Sequence, residues 1–446
     1  MRKSLTALEI SLGAPRLAKR PGSSAPPLPM SGRKEVIVMR RLWVIFGAVL
    51  VAMPAVASAG QQADSATDRS ALLAAERDKN AHETAVPERS LVERALYWYD
   101  NQYVLPKING GWNGFRLAGG RFPAGAGTAV GVAFNRAPSP RLSIDGHAAY
   151  STRGYRRASA GFTIKPIGGT PLDVHIGGQY YDHPQEDFFG LGPGSLEENR
   201  SNYLLEATEA NAELRWKPAA WIDLAGGMSF ISPKIAEGTD SRYPSTDVRF
   251  NASTIPGFQA QPDFLRGDAS AAVDWRDNPL HPRAGGRYGV QVSNFHDQDL
   301  DAFNFRRVEV DVQQYVPLPN RYRTLALRAT GVFTDAAAGS QVPFYYQPTL
   351  GGAQELRGFR EFRFRDQNSL LLTAEYRWEA WWALDGALFV DAGKVAANRR
   401  DLSFGDLDVS YGIGFRFHSN SAFVARLDLA RSREGFIPLL RFEHVF

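Results

Sequence analysis

The sequence predicts an all-β membrane protein: an antiparallel transmembrane β-barrel of about sixteen strands, with a short helical N-terminal segment. Three observations carry this. From about residue 108 to the last residue, apolar and polar side chains alternate with period two, the pattern of strands that bury one face. The alternating stretches number about sixteen, an even count, and most run roughly 10 residues or more, enough to cross a bilayer at a tilt. Strands of soluble sandwiches average about 5 or 6. The connections alternate between short and long, as the two ends of a membrane barrel require.

Composition removes several other classes. Hydrophobic residues make up 44% and aromatics 12% of the 446 residues, so the chain can offset its ordering entropy by burial and need not be disordered. It contains no cysteine, which excludes disulfides and thiolate-ligated metals. Lys and Arg (51) nearly cancel Asp and Glu (47), leaving a net charge of +4 without a basic block, so no nucleic-acid partner is expected.

Residues 1–59 read as an upstream segment and a signal peptide. Arg40 and Arg41 precede an apolar run over 42–59 that ends in Ala57-Ser58-Ala59, and cleavage is expected after Ala59. Pro54 and the small residues argue against a retained membrane anchor. Met39 stands just before the arginine pair, so translation could begin at Met1 or at Met39. Residues 60–105 change period: Leu91, Ala95 and Trp98, with Val92, Leu96 and Tyr99, recur at helical spacing, and Pro87 suits a first turn. This segment reads as a plug or interfacial helix at the barrel mouth, or as a linker that packs loosely.

The barrel is expected over 106–446. Its strands fall near 108–121, 126–137, 140–153, 155–167, 170–184, 203–217, 221–233, 267–278, 285–298, 304–318, 322–337, 368–380, 382–394, 406–418, 421–432 and 436–446. In the fourteenth, Leu407, Val409, Tyr411, Ile413, Phe415 and Phe417 take one face, and Asp408, Ser410, Arg416 and His418 the other. In the last, Leu440, Phe442 and Phe446 oppose Arg441 and Glu443. Long connections cover 185–201, 234–266 and 338–367, and short ones include "APSP", "KPAA" and "PLPN". Trp378, Trp381 and Trp382 flank one short turn, where an aromatic girdle belongs. Leu370, Leu372, Ala374, Tyr376 and Trp378 form an apolar face, which turns Glu375 and Arg377 inward; the next strand turns Asp391 inward, and Arg328, Arg416, Arg426, Asp428 and Glu443 line the same lumen.

Four segments carry a resemblance to a known family. "GGAQELRGF" at 351–359 sits in the long loop before the twelfth strand; "DWRDNPLHPRAGGRY" at 274–288 spans the turn between strands eight and nine; "NSLLLTAEYRW" carries Glu375 and Arg377; "LFVDAGKV" carries Asp391 and Gly393. Together they resemble the BamA/TamA superfamily of outer-membrane biogenesis proteins, over about 108–446. The resemblance implies that the Arg357 loop folds back into the barrel, with Asp391 and Glu375 as partners of Arg357, a close turn at Gly358 and Phe359 packed in the lumen. It also implies a bacterial outer-membrane location with a periplasmic N-terminus. Family members typically carry periplasmic POTRA domains; some 46 residues separate the cleavage site from the first strand and read helical, so a complete one is not expected.

The first strand is rich in glycine, including Gly110, Gly111 and Gly114, and glycine weakens a strand. It could form a lateral seam with Phe442 and Phe446 of the last strand, or accommodate barrel curvature. The leading expectation is a barrel that assists insertion or export of protein or lipid, with outer-membrane lipid, assembly machinery or client proteins as partners. The competing one is a passive pore or structural barrel. Catalysis is not expected: the eight histidines are scattered, His444 lies on an outward face, and Gly-Leu-Gly-Pro-Gly at 190–194 falls in a loop, not between strand and helix. No metal-spaced cluster of His and carboxylates is visible, and no cofactor is expected.

Overall fold

The computed structural model describes residues 113–119, 122–123, 125–165, 171–319, 322–381, 383–418, 423–442 and 446. The expected signal peptide over 1–59, the expected helical segment over 60–105, Gly110, Gly111, Trp382, Glu443 and His444 lie outside the described residues.

The described residues form one antiparallel sheet of sixteen strands, each paired with its neighbours in chain order. These are β1 (Phe115–Ala118), β2 (Ala129–Ser139), β3 (Leu142–Ser151), β4 (Arg156–Ile164), β5 (Leu172–Phe188), β6 (Ser201–Ala219), β7 (Ile222–Glu237), β8 (Phe264–Asp274), β9 (Gly285–Asp297), β10 (Phe305–Pro317), β11 (Arg323–Ala336), β12 (Asn368–Trp381), β13 (Leu384–Ala396), β14 (Asp408–His418), β15 (Phe423–Ser432) and β16 (Gly435–Arg441). One strand falls in each alternating stretch of the sequence. Among the described residues no ladder joins β1 to β16.

Boundaries shift where tertiary contacts outweigh local pattern. β5 runs on to Phe188, whose ring lies 5.3 Å from Phe344 of the long loop after β11, and β6 starts at Ser201, whose hydroxyl donates to the Phe188 carbonyl at 2.9 Å while Asn202 Nδ2 donates to the Tyr243 carbonyl of the β7–β8 connection at 3.1 Å. β8 ends at Asp274, four residues short of the expected end, where Arg276 turns back to fork onto the Asp274 carboxylate at 2.9 and 2.6 Å. The loops contain small elements that the alternation could not show: a helical turn α1 (Thr246–Arg249) and a two-residue ladder pairing Thr349 and Leu350 with Arg365 and Phe364.

The polarity of the sheet is inverted relative to a soluble protein. Leu117, Met228, Leu388, Tyr411 and Leu440 are each more than half exposed, while Glu375, Asp391 and Asp428 are fully buried on the opposite face. Exposed apolar residues scattered singly need no explanation, but a continuous apolar outer face over most of sixteen strands matches the lipid-facing band of a membrane barrel. Trp216, Trp221, Trp275 and Tyr322, all exposed, cluster at the short-turn end, and Trp275 packs edge-on against Tyr288 at 4.8 Å. The Tyr376 and Trp378 rings stack at 5.8 Å at the same end. At the long-loop end the aromatics are instead buried: Phe264, Phe295, Phe303 and Phe305 form one cluster with Ile231 and Val342.

Candidate functional site: a buried arginine clamp on the long loop

The connection 337–367 does not project away from the sheet. Leu350, Leu356, Phe359 and Phe364 of the loop pack with Leu371 of β12 and Val395 of β13 as an apolar core, the Phe359 and Phe364 rings 5.1 Å apart. Burying these side chains drives the segment onto the inner face. Two glycines permit the approach. A Cβ on Gly393 would sit 2.5 Å from Leu356 Cδ1, and one on Gly358 would sit 2.6 Å from Ser410 Cβ. Gly358 therefore serves close passage of the loop over β14 and β15, not a left-handed turn, and its carbonyl accepts from Ser432 Oγ at 2.6 Å.

That approach delivers Arg357, fully buried, to the inner face. Its Nε and Nη2 donate to Asp391 Oδ2 and Oδ1 at 2.8 and 2.7 Å, a two-pronged pairing, and its Nη1 donates to Glu375 Oε2 at 2.8 Å. The guanidinium lies 3.4 Å above the Phe389 ring. Arg416 donates to Glu375 Oε2 at 2.8 Å and to Asp428 Oδ1 at 2.6 Å, Arg377 donates to Glu375 Oε1 at 2.8 Å, and Arg426 approaches Asp428 at 3.3 Å. Thr373 and Ser410 hydroxyls satisfy remaining Asp391 lone pairs at 3.1 and 3.4 Å. Four guanidiniums thus face three carboxylates in a space that excludes solvent, and each ion is paired and hydrogen-bonded as burial demands. Burial alone would lower the affinity of Arg357 for its proton, but Asp391 and Glu375 outweigh it, so the loop cation stays charged.

The two carboxylates named from the sequence are those the guanidinium touches, while Arg377 reaches Glu375 on its other oxygen and does not contact Arg357. Arg416, Arg426 and Asp428 read only as lumen lining in the sequence; register places them in the clamp, through Asp391 opposite Ser410 and Arg416 opposite Arg426. The residues of the expected seam separate. Gly114 has φ of +95° and its carbonyl accepts from Asn135 of β2 at 2.8 Å, so its conformation answers to β2. Phe442 is exposed on the outer face. Phe446, expected beside it, instead points inward: its ring lies 6.0 Å from Tyr315 and 5.2 Å from the Arg377 guanidinium, because a terminal residue past β16 is free of the strand alternation.

The loop is also gripped from the other side. Arg363 donates to the Ser195 hydroxyl and carbonyl and to Glu434, and Arg365 donates to the Phe344 carbonyl and to Tyr203. The 190–194 stretch is therefore part of this grip, with Gly192 N donating to the Arg365 carbonyl at 2.8 Å. Beside the loop, β6 to β11 border a cavity of about 510 Å³ lined by Glu213, Arg215, Arg287, Glu309, Arg328 and Glu355. The expectation that no histidine and carboxylate group gathers at metal-ligand distance needs correction. His281, Asp385 and His418, far apart in sequence, bring their ligand atoms within 4.8 Å of one another.

Residues 245–434 match the Omp85 superfamily domain. The fold is similar to that of BamA from Haemophilus ducreyi lacking POTRA domains 1–3, with a TM-score of 0.56 and 15% identity over 74% of this chain and 71% of that one. CdiB from Escherichia coli aligns with a TM-score of 0.48 and 13% identity, covering 75% of this chain and 61% of that one. CdiB from Acinetobacter baumannii aligns with a TM-score of 0.44 and 13% identity, covering 70% and 55%. The matched segment holds the long loop, Arg357 and every carboxylate of its clamp.

Proposed function

We propose that the chain is an outer-membrane barrel of the assembly and translocation type, whose lumen is obstructed by the Arg357 loop and which assists insertion or export of protein or lipid. The sixteen strands close on themselves in this reading, since an open edge in lipid would leave backbone groups unsatisfied. The observation that carries it is the clamp. A passive pore needs a polar lumen but has no use for a long loop folded back and fastened by a buried ion network. Client recognition would rest on the barrel and its loops, and residues 60–105 form a periplasmic linker or plug. No catalytic role is assigned.

A second reading, a passive pore, is favoured by the charged cavity bordered by β6 to β11. The two are separated by deleting the gene and comparing outer-membrane protein and lipid composition. Loss of other barrels or of surface lipid, restored by the wild type but not by Arg357→Ala expressed at the same level, supports assembly. Unchanged composition with reduced uptake of small solutes supports the pore.

A further inference from the structure

We propose that His281, Asp385 and His418 form a binding site for a borderline divalent transition-metal ion, with Zn²⁺ as the representative, at the short-turn end of the sheet. The three residues come from three places: His281 from the β8–β9 connection, Asp385 from the start of β13 and His418 from the end of β14. The β13–β14 ladder sets Asp385 beside His418, with Asp385 opposite Arg416, but three strands lie between β9 and β13, so no ladder brings His281 to them. Side chains do. His281 Nε2 stands 3.0 Å from Asp385 Oδ2, and His418 Nε2 stands 3.4 Å from Asp385 Oδ1. Metal–nitrogen bonds of about 2.0–2.1 Å in a tetrahedron place neighbouring ligand atoms about 3.3–3.4 Å apart, close to each of these separations, and one ligand atom from each residue lies within 4.8 Å of the other two. The two imidazole rings stack at 4.5 Å with 29° between their planes, which turns their edges toward the shared carboxylate.

The donor set selects the ion. Two imidazoles and one carboxylate suit zinc and its borderline neighbours, whereas magnesium and calcium require oxygen. Three protein ligands leave a fourth position for water. His281 is 17% exposed through its side chain and gives an ion a way in, while Asp385 is 2% exposed. Arg283 Nη2 reaches both Asp385 oxygens at 3.2 and 3.4 Å, which orients the carboxylate and supplies the outer hydrogen bonds that metal-ligating carboxylates receive. It also places a positive charge nearby, part of which Glu379 offsets at 3.6 Å from the same nitrogen. An ion here would fasten the β8–β9 connection to β13 and β14 and so brace the short-turn end against splaying.

The same distances arise without metal if the imidazoles simply hydrogen-bond to Asp385, and the experiment separates the two. The full chain, purified in detergent with a histidine-free tag and stripped with EDTA, is titrated with ZnCl₂ while circular dichroism follows its fold. One Zn²⁺ per chain is expected, with affinity falling at least about tenfold in His281→Gln and in His418→Gln. Co²⁺ at the site should show the visible absorption of a four-coordinate ion, and Zn²⁺ should raise the unfolding temperature of the wild type but not of His281→Gln. His281 lies in a turn, so its variant tests the site even if His418→Gln fails to fold. Absence of saturable Zn²⁺ binding up to roughly 100 µM, or undiminished binding in a folded His281→Gln, would overturn the proposal and leave a hydrogen-bonded histidine pair.

Discussion

The two walls of the inner sheet face that flank the long loop are built from the same residue types and behave differently. On β12 to β15, Arg357, Arg377, Arg416 and Arg426 meet Glu375, Asp391 and Asp428 with almost no solvent exposure. On β6 to β11, Glu213, Arg215, Arg287, Glu309, Asp311 and Arg328 border a cavity of about 510 Å³. An inward charged face therefore does not reveal whether a barrel is filled. What distinguishes the walls is whether a loop contributes the last cation and the apolar cover that keeps water out.

The largest expected effect comes from removing that cation. Arg357→Ala leaves Asp391 buried without its cation and takes one of three guanidiniums from Glu375, and should cost about 3–5 kcal/mol, read as a fall in the unfolding temperature of the barrel in detergent. Arg328→Ala, whose pairing with Asp311 at 3.1 Å is partly solvated, should cost about 1 kcal/mol or less. Equal losses would erase the contrast between the walls. Arg357→Lys keeps the charge but not the fork, and should recover only part of the loss.

Gly393→Leu should rank next. Its side chain would compete for the space of Leu356, and overpacking of this kind costs about 1–3 kcal/mol. The loop should become accessible to protease while the strands remain intact. An unchanged digestion pattern would mean that the loop does not depend on this contact.

A smaller effect concerns pH. Glu355, in the loop and facing the cavity, has its carboxyl pushed up to about 8 by burial and by neighbouring Glu361, against the pull of Arg328. The folded chain thus holds a proton there that the unfolded chain releases near its ordinary value of about 4.3. Its contribution to stability is full below that value and is lost as pH rises through about 8. Glu355→Gln should flatten the decline in loop protection between these limits, measured by hydrogen exchange. A modest effect is also expected at Tyr203→Phe, which removes the hydroxyl joining Arg365 and Glu186 and should cost about 1 kcal/mol, concentrated at the long-loop end.

Strands were legible because period-two alternation is local: Val409, Tyr411 and Phe417 announce an outward face without knowledge of any neighbour. The partners of Arg357 were legible because alternation turns Glu375 and Asp391 inward and the resemblance supplied the loop. Register was not, since it depends on turn geometry and cross-strand packing, and with it went the membership of Arg416, Arg426 and Asp428 in the clamp. The histidine group was invisible for a related reason. Asp385 and His418 meet through the register of β13 and β14, and His281 reaches them only across the curvature of the sheet, which no local spacing encodes. Phe446 shows the opposite failure, where alternation was extended past the end of the strand that justified it.

The most direct test of the clamp is single-channel conductance of the purified protein in planar bilayers, wild type against Arg357→Ala. With the loop fastened across the lumen, the wild type should be closed or flicker between brief openings, and the variant should show sustained currents. A wild type that conducts steadily, with a current the substitution leaves unchanged, would contradict the claim that this arginine holds the lumen shut.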